Sequence, residues 1–142
     1  PGVGSGGFFP VGTTTETYEV TDAGGRTASC SFTVTVVDVE PPTLNGSDGT
    51  SPCMAPVVVG NDAGLCSAVV NYAVPTVSDN CGSLTPSLTS GLGTGAAFPQ
   101  FTSTETYTVS DAGGNSVTCS FDITVEDREA PVISHTPTGV VQ

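Results

Sequence analysis

The chain has 142 residues, in which 14 acidic residues oppose two arginines and no lysine, giving a formal net charge of −12. This charge argues against nucleic acid or an anionic membrane surface as a partner. The length allows one complete small β-domain and a fragment of another, and no apolar run is long enough for a membrane-spanning helix, so we expect no membrane insertion.

A glycine-rich lead-in and a hairpin open the chain. Residues 1–8 predict a loop, and residues 13–37 predict two antiparallel strands, because apolar and polar residues alternate there with a period of two. Two strands alone cannot enclose a core, so the rest of this unit must come from a longer chain or from another copy. The residues expected to face inward are Tyr18, Val20, Ala28, Cys30, Phe32, Val34 and Val36.

Two proline-containing segments, residues 38–42 and 127–131, are the expected joints between units, since proline ends a strand and stiffens the connection that follows. Soon after the first joint, Asn45-Gly-Ser47 has the sequence of an N-glycosylation acceptor. Asn45 is therefore a candidate for a glycan, provided that the protein is secreted.

Short strands and turns are expected between the two joints. Residues 53–59 predict an edge strand, residues 66–72 a strand with alternate residues inward, residues 78–82 a loop and residues 84–88 a short strand. With the hairpin described next, they make about seven short strands, the pattern of an immunoglobulin-like sandwich.

Residues 104–127 predict a second hairpin, with its turn at residues 111–115. Ser, Thr, Asp and Glu alternate with the apolar residues, so one face is expected to be buried and the other exposed to water. The inward residues are Tyr107, Val109, Val117, Cys119, Phe121, Ile123 and Val125.

The two hairpins are copies of one another. Residues 9–44 align without a gap to residues 98–133, an offset of 89 residues, with 20 of 36 positions identical. A period of 89 residues is typical of one small β-sandwich, so the sequence indicates a tandem array. We therefore divide it into the C-terminal part of a first unit (residues 1–38), a complete unit (39–127) and the opening strand of a third (128–142).

The five cysteines favour disulfides in an oxidising compartment. There is no Cys-x-x-Cys pair and a single histidine, His135, so a zinc site is not indicated. For the same reason the sequence lacks a Ser-His-Asp or Cys-His constellation, and we expect no enzymatic activity and no required cofactor. Cys30 is the odd cysteine, whose partner we expect to lie in the missing part of the first unit.

Residues 39–127 resemble the hyalin repeat, or HYR, domain, and residues 9–38 resemble its C-terminal part. The resemblance implies an immunoglobulin-like extracellular module, related in fold to fibronectin type III and found in tandem in adhesion, matrix and bacterial surface proteins. It implies no catalytic residues. The motifs that carry it are Cys53, Gly-Leu-Cys66, Val-x-Tyr72, Asp79-Asn-Cys-Gly82, Asp111-Ala-Gly-Gly-Asn115 and Cys119-Ser-Phe121.

Four cysteines of the complete unit allow three disulfide pairings. We expect Cys53 to pair with Cys81, if both lie at the end facing the preceding unit, and Cys66 to pair with Cys119, since both share the inward parity of their strands.

Acidic residues are expected to gather at the same end of the complete unit: Asp38 and Glu40 in the joint, Asp79 in a loop and Asp111 in the hairpin turn. Convergent carboxylates without nearby bases could hold Ca²⁺ and stiffen the joint. The alternative is that aspartates stand there as turn formers, which bond the backbone of their own loops.

The sequence is compatible with two candidate functions. The first is a structural or adhesive repeat, part of a cell-surface protein or a fibre subunit joined head to tail by strand addition, with neighbouring copies or adjacent repeats as partners. The second is a binding module whose loops at residues 79–82 and 111–115 recognise a glycan or a surface protein.

Overall fold

The computed structural model describes residues 3–46 and 53–133, and these form ten β-strands and no helix. The described residues therefore include no helix that could span a membrane. The all-β architecture is the one predicted for an immunoglobulin-like sandwich. Residues 134–142, which include His135 and most of the predicted third unit, lie outside the described residues, as do Ser47 and Pro52.

The first hairpin consists of β1 (Gly12–Thr21) and β2 (Thr27–Val36), which pair antiparallel and form a sheet of their own. Tyr18 lies opposite Cys30 in the register. At the turn, the backbone N–H of Asp22 donates to the carbonyl of Arg26 at 2.9 Å. The hairpin predicted from the alternation of apolar and polar side chains is therefore present. Among the described residues, no second sheet packs against it.

The central unit, residues 39–127, contains the remaining eight strands. One layer is a four-stranded sheet with the order β4-β10-β9-β7, in which β4 runs parallel to β10 and the other neighbours are antiparallel. The pairs β3-β6 and β5-β8 form two further sheets. The strands are β3 (Thr43–Asn45), β4 (Val57–Gly60), β5 (Ser67–Val69), β6 (Thr76–Ser78), β7 (Ser87–Ser90), β8 (Ala97–Pro99), β9 (Phe101–Ser110) and β10 (Ser116–Glu126).

The core lies between the long strands β9 and β10 and the shorter pairs. Near one end, Leu44 of β3 packs with Val109 and Cys119. Along the rest of the unit, a larger cluster joins β5 and β8 to the closing hairpin, and the Phe98 and Ile123 side chains in it are fully buried. Its members are Ala68, Val70, Phe98, Tyr107, Phe121, Ile123 and Val125. The inward parity predicted for the closing hairpin is confirmed, with Val117 only half-buried.

Several strand bounds differ from the prediction. β4 begins at Val57, so Cys53 precedes it, and β5 ends at Val69. The segment Thr76–Ser78, which carries no clear apolar alternation, gains strand geometry by pairing with β3. β7 begins at Ser87, after Pro86, which has no N–H for a ladder hydrogen bond.

Both hairpins begin with the same unusual backbone. Gly12 at the start of β1 has a φ of 112°, and Phe101, its counterpart 89 residues later, has a φ of 85°. This left-handed region is costly for a residue with a side chain. Phe101 is also 75% exposed, so little packing compensates for the strain.

Candidate functional site: the two joints of the central unit

The N-terminal joint, residues 38–42, is tied to the closing hairpin through Asn115. The side-chain amide of Asn115 donates to the carbonyl of Asp38 at 3.2 Å and to that of Glu40 at 3.4 Å. From the other side, the Asn80 amide donates to the Glu40 carboxylate at 2.8 Å. The joint is therefore held by two loops of the unit that it precedes.

Asn115 is itself fixed by Asp111. One carboxylate oxygen of Asp111 accepts the backbone N–H of Asn115 at 2.8 Å, and the other accepts its side-chain amide at 2.8 Å. Chiefly because of that side-chain hydrogen bond, the pKa of Asp111 is held below its ordinary value. The turn formed by Asp111 thus aims the amide that clamps the joint.

Close approach at this joint explains one of the turn glycines. A Cβ added to Gly113 would lie 2.8 Å from the carbonyl oxygen of Asp38, which is closer than van der Waals contact allows. The hairpin turn therefore packs directly on the joint backbone, and Asp38 is only 8% exposed.

The acidic residues predicted to bind calcium divide into two groups. Oxygen atoms of Asp38 and Asp79 and the sulfur of Cys81 all lie within 4.8 Å of one another. One Asp79 oxygen, Oδ2, accepts the backbone N–H of Cys81 at 2.9 Å, while its Oδ1 is buried and has no partner among the described residues. Glu40 and Asp111 direct their carboxylates instead to Asn80 and Asn115.

This donor set fits calcium poorly. Ca²⁺ takes six to eight oxygen ligands, whereas the cluster offers two carboxylates and a thiol. The pKa of Cys81 is raised, first by its hydrogen bond to Asp38 and then by burial, so the thiol stays protonated beside the carboxylate. Calcium binding by Asp38, Glu40, Asp79 and Asp111 therefore stays a prediction.

The C-terminal joint, residues 127–131, is held by the turn at residues 61–65. The side-chain oxygen of Asn61 accepts the backbone N–H of Arg128 at 2.9 Å, and the Glu129 carboxylate accepts the backbone N–H of Gly64 at 2.8 Å. Both joints also contain the same local turn. The N–H of Glu129 donates to Asp127 at 3.0 Å, just as the N–H of Glu40 donates to Asp38 at 3.1 Å.

The disulfide joins Cys53 to Cys119, with their Cα atoms 5.5 Å apart. Both predicted pairings, Cys53 with Cys81 and Cys66 with Cys119, are therefore wrong. Cys53 lies over the middle of β10, where it packs against both core clusters. Inward parity does not bring Cys66 to Cys119, because Cys66 lies at the far end of the long strands, where its carbonyl accepts the N–H of Gln100 at 2.9 Å.

Three cysteines are exposed thiols in the described part of the chain: Cys30, Cys66 and Cys81. Cys66 and Cys81 lie at opposite ends of the central unit. Cys66 is beside the C-terminal joint and Cys81 beside the N-terminal joint, separated by the length of β9, whose ten residues span roughly 30 Å.

The glycosylation candidate, Asn45, ends β3 and is half-buried opposite Thr76. Because Ser47 lies outside the described residues, use of this acceptor stays a prediction.

Sequence reasoning missed the buried Glu105. Its carboxylate accepts the backbone N–H groups of Leu92 and Gly93 at 2.7 and 2.8 Å and the Tyr72 hydroxyl at 2.7 Å. Glu16, 89 residues earlier, likewise accepts the N–H groups of Val3 and Gly4. The signal that could have found it is the Thr-Glu-Thr-Tyr sequence, identical in both copies, in which a glutamate occupies an inward position.

The sequence model of the HYR domain matches residues 2–36 and 37–125. Hyalin from Strongylocentrotus purpuratus is 39% identical over 96% of this chain, and hyalin from Lytechinus variegatus is 34% identical over 91%. A rat protein named for its sushi, von Willebrand factor type A, EGF and pentraxin domains is 33% identical over 88%.

The chain spans only part of each relative: 11% and 24% of the two hyalins and 3% of the rat protein. The two segments matched by the family model nevertheless account for most of this chain, and their described residues form β-strands and no helix. HYR domains are non-enzymatic modules of the adhesion type with an immunoglobulin-like fold. The chain belongs to the HYR domain family.

Proposed function

We propose that the chain is a structural segment of an extracellular HYR array, in which units follow one another head to tail and the first hairpin is completed by strands of a neighbouring unit. The observation that carries this proposal is a difference in burial between the two copies of one hairpin. Phe121 is 4% exposed, whereas its counterpart Phe32 is 52% exposed. Tyr107 is 4% exposed, against 48% for Tyr18.

The exposed face of the first hairpin has a defined chemistry. It carries an aromatic stack, Tyr18 on Phe32 with ring centres 6.1 Å apart, next to Val20. Fully burying such side chains stabilises by about 1.5–3 kcal/mol each. In the central unit the same face is covered by β3, β5 and β8, so the partner that fits is a set of strands of the same kind.

Strand addition from a second copy is the form of the array that we propose. The face of the first hairpin that carries Tyr18 and Phe32 is exposed among the described residues, so a strand from a second copy could cover it. A C-terminal segment docked on the hairpin of the next copy would give a head-to-tail fibre. In a longer polypeptide, the adjacent repeat would supply the same strands.

The clamped joints support a mechanical role. The C-terminal joint is bonded by Asn61 and Gly64 of the unit before it, and the N-terminal joint by Asn80 and Asn115 of the unit after it. By repetition, every joint of an array would be held from both sides. A connection held on both sides keeps successive units in a fixed orientation. An array built in this way would act as a stiff spacer or linker at a cell surface.

Extracellular localisation is part of the proposal. A disulfide, exposed hydroxyl-bearing strand faces and the absence of lysine are consistent with a secreted protein. On the outer face of the closing hairpin, Thr106 bonds Ser120 at 3.0 Å and Thr108 bonds Thr118 at 3.1 Å.

Two measurements test the proposal. Mass spectrometry of the native protein separates its two forms, because a subunit near 14.1 kDa requires strands from another copy and a much larger mass places them in one polypeptide. Sedimentation then compares the full chain with a chain that ends at Asp127. Strand addition predicts concentration-dependent oligomers of the full chain only, and equal monomeric behaviour of both chains would contradict it.

A glycan-binding module is the second candidate. It is favoured by a hollow of about 140 Å³ at the N-terminal joint, whose lining includes the polar residues Glu40, Ser78, Asp79 and Asn80 as partners for sugar hydroxyls. A glycan array probed with the chain and with Asp79→Asn and Asp111→Asn tests it. Binding that both substitutions leave unchanged would count against these loops.

Calcium stiffening of the same joint is tested by calorimetric titration with CaCl₂. If the predicted carboxylates bind the ion, the native chain gives a saturable heat signal that is lost in Asp79→Asn. Asp122→Asn, on the outer face of β10, serves as the control. No heat with the native chain would contradict calcium binding.

A further inference from the structure

We propose that Cys66 and Cys81 form disulfides across the joints, so that Cys66 of one unit is bonded to the Cys81 of the unit that follows it. The proposal rests on the head-to-tail array of the proposed function, but not on strand addition between copies. It assigns partners to two exposed thiols that cannot reach each other within one unit.

The first step is the position of the two thiols at opposite ends. Cys66 and Asp127 line one hollow of about 320 Å³ at the C-terminal joint, together with Asn61, Leu65 and Glu129. At the N-terminal joint, the Cys81 sulfur lies within 4.8 Å of the Asp38 carboxylate. Cys81 is therefore next to Asp38, and Cys66 borders the same hollow as Asp127.

The second step is that these two aspartates are the same residue of the repeat. Asp127 stands 89 residues after Asp38, and each is followed two residues later by a glutamate. The two joints also share the turn in which that glutamate N–H donates to the aspartate, at 3.1 Å in one and 3.0 Å in the other. The local geometry around Asp38 can therefore be carried over to Asp127.

When it is carried over, the two thiols converge. A unit that follows the C-terminal joint places its counterpart of Cys81 against the Asp127 carboxylate, on the joint that Cys66 already borders. A disulfide needs Cα atoms about 4.4–6.8 Å apart, so the proposal requires the two cysteines to approach to this distance across the joint. Leu65, 55% exposed in the same hollow, would be covered by the incoming unit.

The disulfide across the joint forms by thiol–disulfide exchange. A small-molecule disulfide such as oxidised glutathione is attacked by the Cys66 thiolate, which forms a mixed disulfide and releases one thiolate. The Cys81 thiolate of the next unit then attacks the Cys66 sulfur, forms the joint disulfide and releases the second thiolate. Two protein thiols lose two electrons and two protons, and the oxidant takes these up as it is reduced to two thiols.

The repeat of 89 residues also indicates the disulfide partner of Cys30. It is the counterpart of Cys119, 89 residues earlier, and so its partner is the Cys53 of its own unit rather than a joint cysteine. Exposure of Cys30 therefore has a different cause from exposure of Cys66 and Cys81.

The experiment uses the full chain with its central unit duplicated in place, so that residues 1–127 are followed by residues 39–142. The central unit has its own core and disulfide, which allows the second copy to fold. After oxidation with a glutathione buffer, free thiols are alkylated and the disulfide-linked peptides are identified by mass spectrometry on the monomer. We expect Cys53–Cys119 in each copy and one further bond, from Cys66 of the first copy to Cys81 of the second.

A matched control replaces Cys66 by serine in the first copy only. This substitution should free the Cys81 of the second copy for alkylation and leave both Cys53–Cys119 bonds intact. Full alkylation of Cys66 and Cys81 in the unsubstituted chain, with Cys53–Cys119 formed in both copies, would overturn the proposal, and so would a bond from Cys66 to Cys81 of the same copy. Because the peptides come from a monomer, failure of strand addition between copies would not affect this result.

Discussion

The carboxylate of Glu105 accepts a hydrogen bond from the hydroxyl of Tyr72 at 2.7 Å, in the interior of the central unit. Tyr72 in turn lies 3.0 Å from the hydroxyl of Tyr107. Burial first, then the hydrogen bonds to Tyr107 and Glu105, raise the pKa of Tyr72, so its hydroxyl is protonated at neutral pH and can donate to Glu105. Together with the backbone of Leu92 and Gly93, these groups fix the glycine-rich crossing to the closing hairpin.

Replacing Glu105 by glutamine should destabilise the central unit by about 2–3 kcal/mol, because a charge-assisted acceptor is lost and an amide N–H₂ group faces buried donors. Urea unfolding followed by tyrosine fluorescence measures the change. The control is Glu16→Gln, which alters the same residue in the first hairpin and should leave the main transition in place. A Glu105→Gln chain as stable as the native one would contradict the role assigned to the carboxylate.

Replacing Cys119 by serine should cost about 4 kcal/mol, since the disulfide closes a loop with a sequence separation of 66 residues. Its counterpart in the first hairpin, Cys30, is exposed and has no disulfide within the described residues, so Cys30→Ser should change the midpoint of unfolding little. Thermal unfolding under non-reducing conditions measures both. Similar losses for the two variants would be inconsistent with the Cys53–Cys119 assignment.

Replacing Phe101 by glycine should stabilise the chain by about 1 kcal/mol, although most substitutions destabilise a protein. The backbone at Phe101 has a φ of 85°, where the other copy of the repeat has Gly12, and the exposed ring contributes little packing. Phe101→Ala is the matched control, because it removes the ring and keeps the strain. Equal stability of the glycine and alanine variants would show that the backbone carries no such strain.

Replacing Asp111 by asparagine should lower the melting temperature at neutral pH and have less effect in acid. The pKa of Asp111 is lower in the folded chain than in the unfolded chain, chiefly because of the Asn115 amide, so its contribution is present above the unfolded pKa of about 3.9 and is lost as the pH falls through the folded value. Melting curves of both chains at pH 7 and pH 3 test this. A difference that stays constant between these pH values would contradict it.

The sequence was sufficient for the features that depend on period-two alternation. Tyr107, Phe121 and Ile123 are buried as their parity predicts, and the repeat of 89 residues correctly aligned two hairpins with the same register. These features are local, because each strand face is set by its own side chains.

Features that depend on how distant segments pack were not predictable in the same way. The pairing of Cys53 with Cys119 depends on the path of residues 53–60 along β10, which no local pattern encodes. Glu105 shares the inward parity of Tyr107, but a charged group is seldom fully buried, so the alternation of apolar and polar residues does not predict its position. Its burial is tolerated because Tyr72, Leu92 and Gly93 donate three hydrogen bonds to the carboxylate, and the parity of the strand does not reveal those donors.

Completion of the first hairpin by neighbouring strands is tested most directly by amide hydrogen exchange in the two hairpins, first in the dilute chain and then in the native assembly. We expect residues 12–36 to exchange much faster than residues 101–126 in the dilute chain, and the two hairpins to be equally protected in the assembly. Slow exchange of residues 12–36 in the dilute chain, or fast exchange of them in the native assembly, would contradict the claim that neighbouring strands complete the first hairpin.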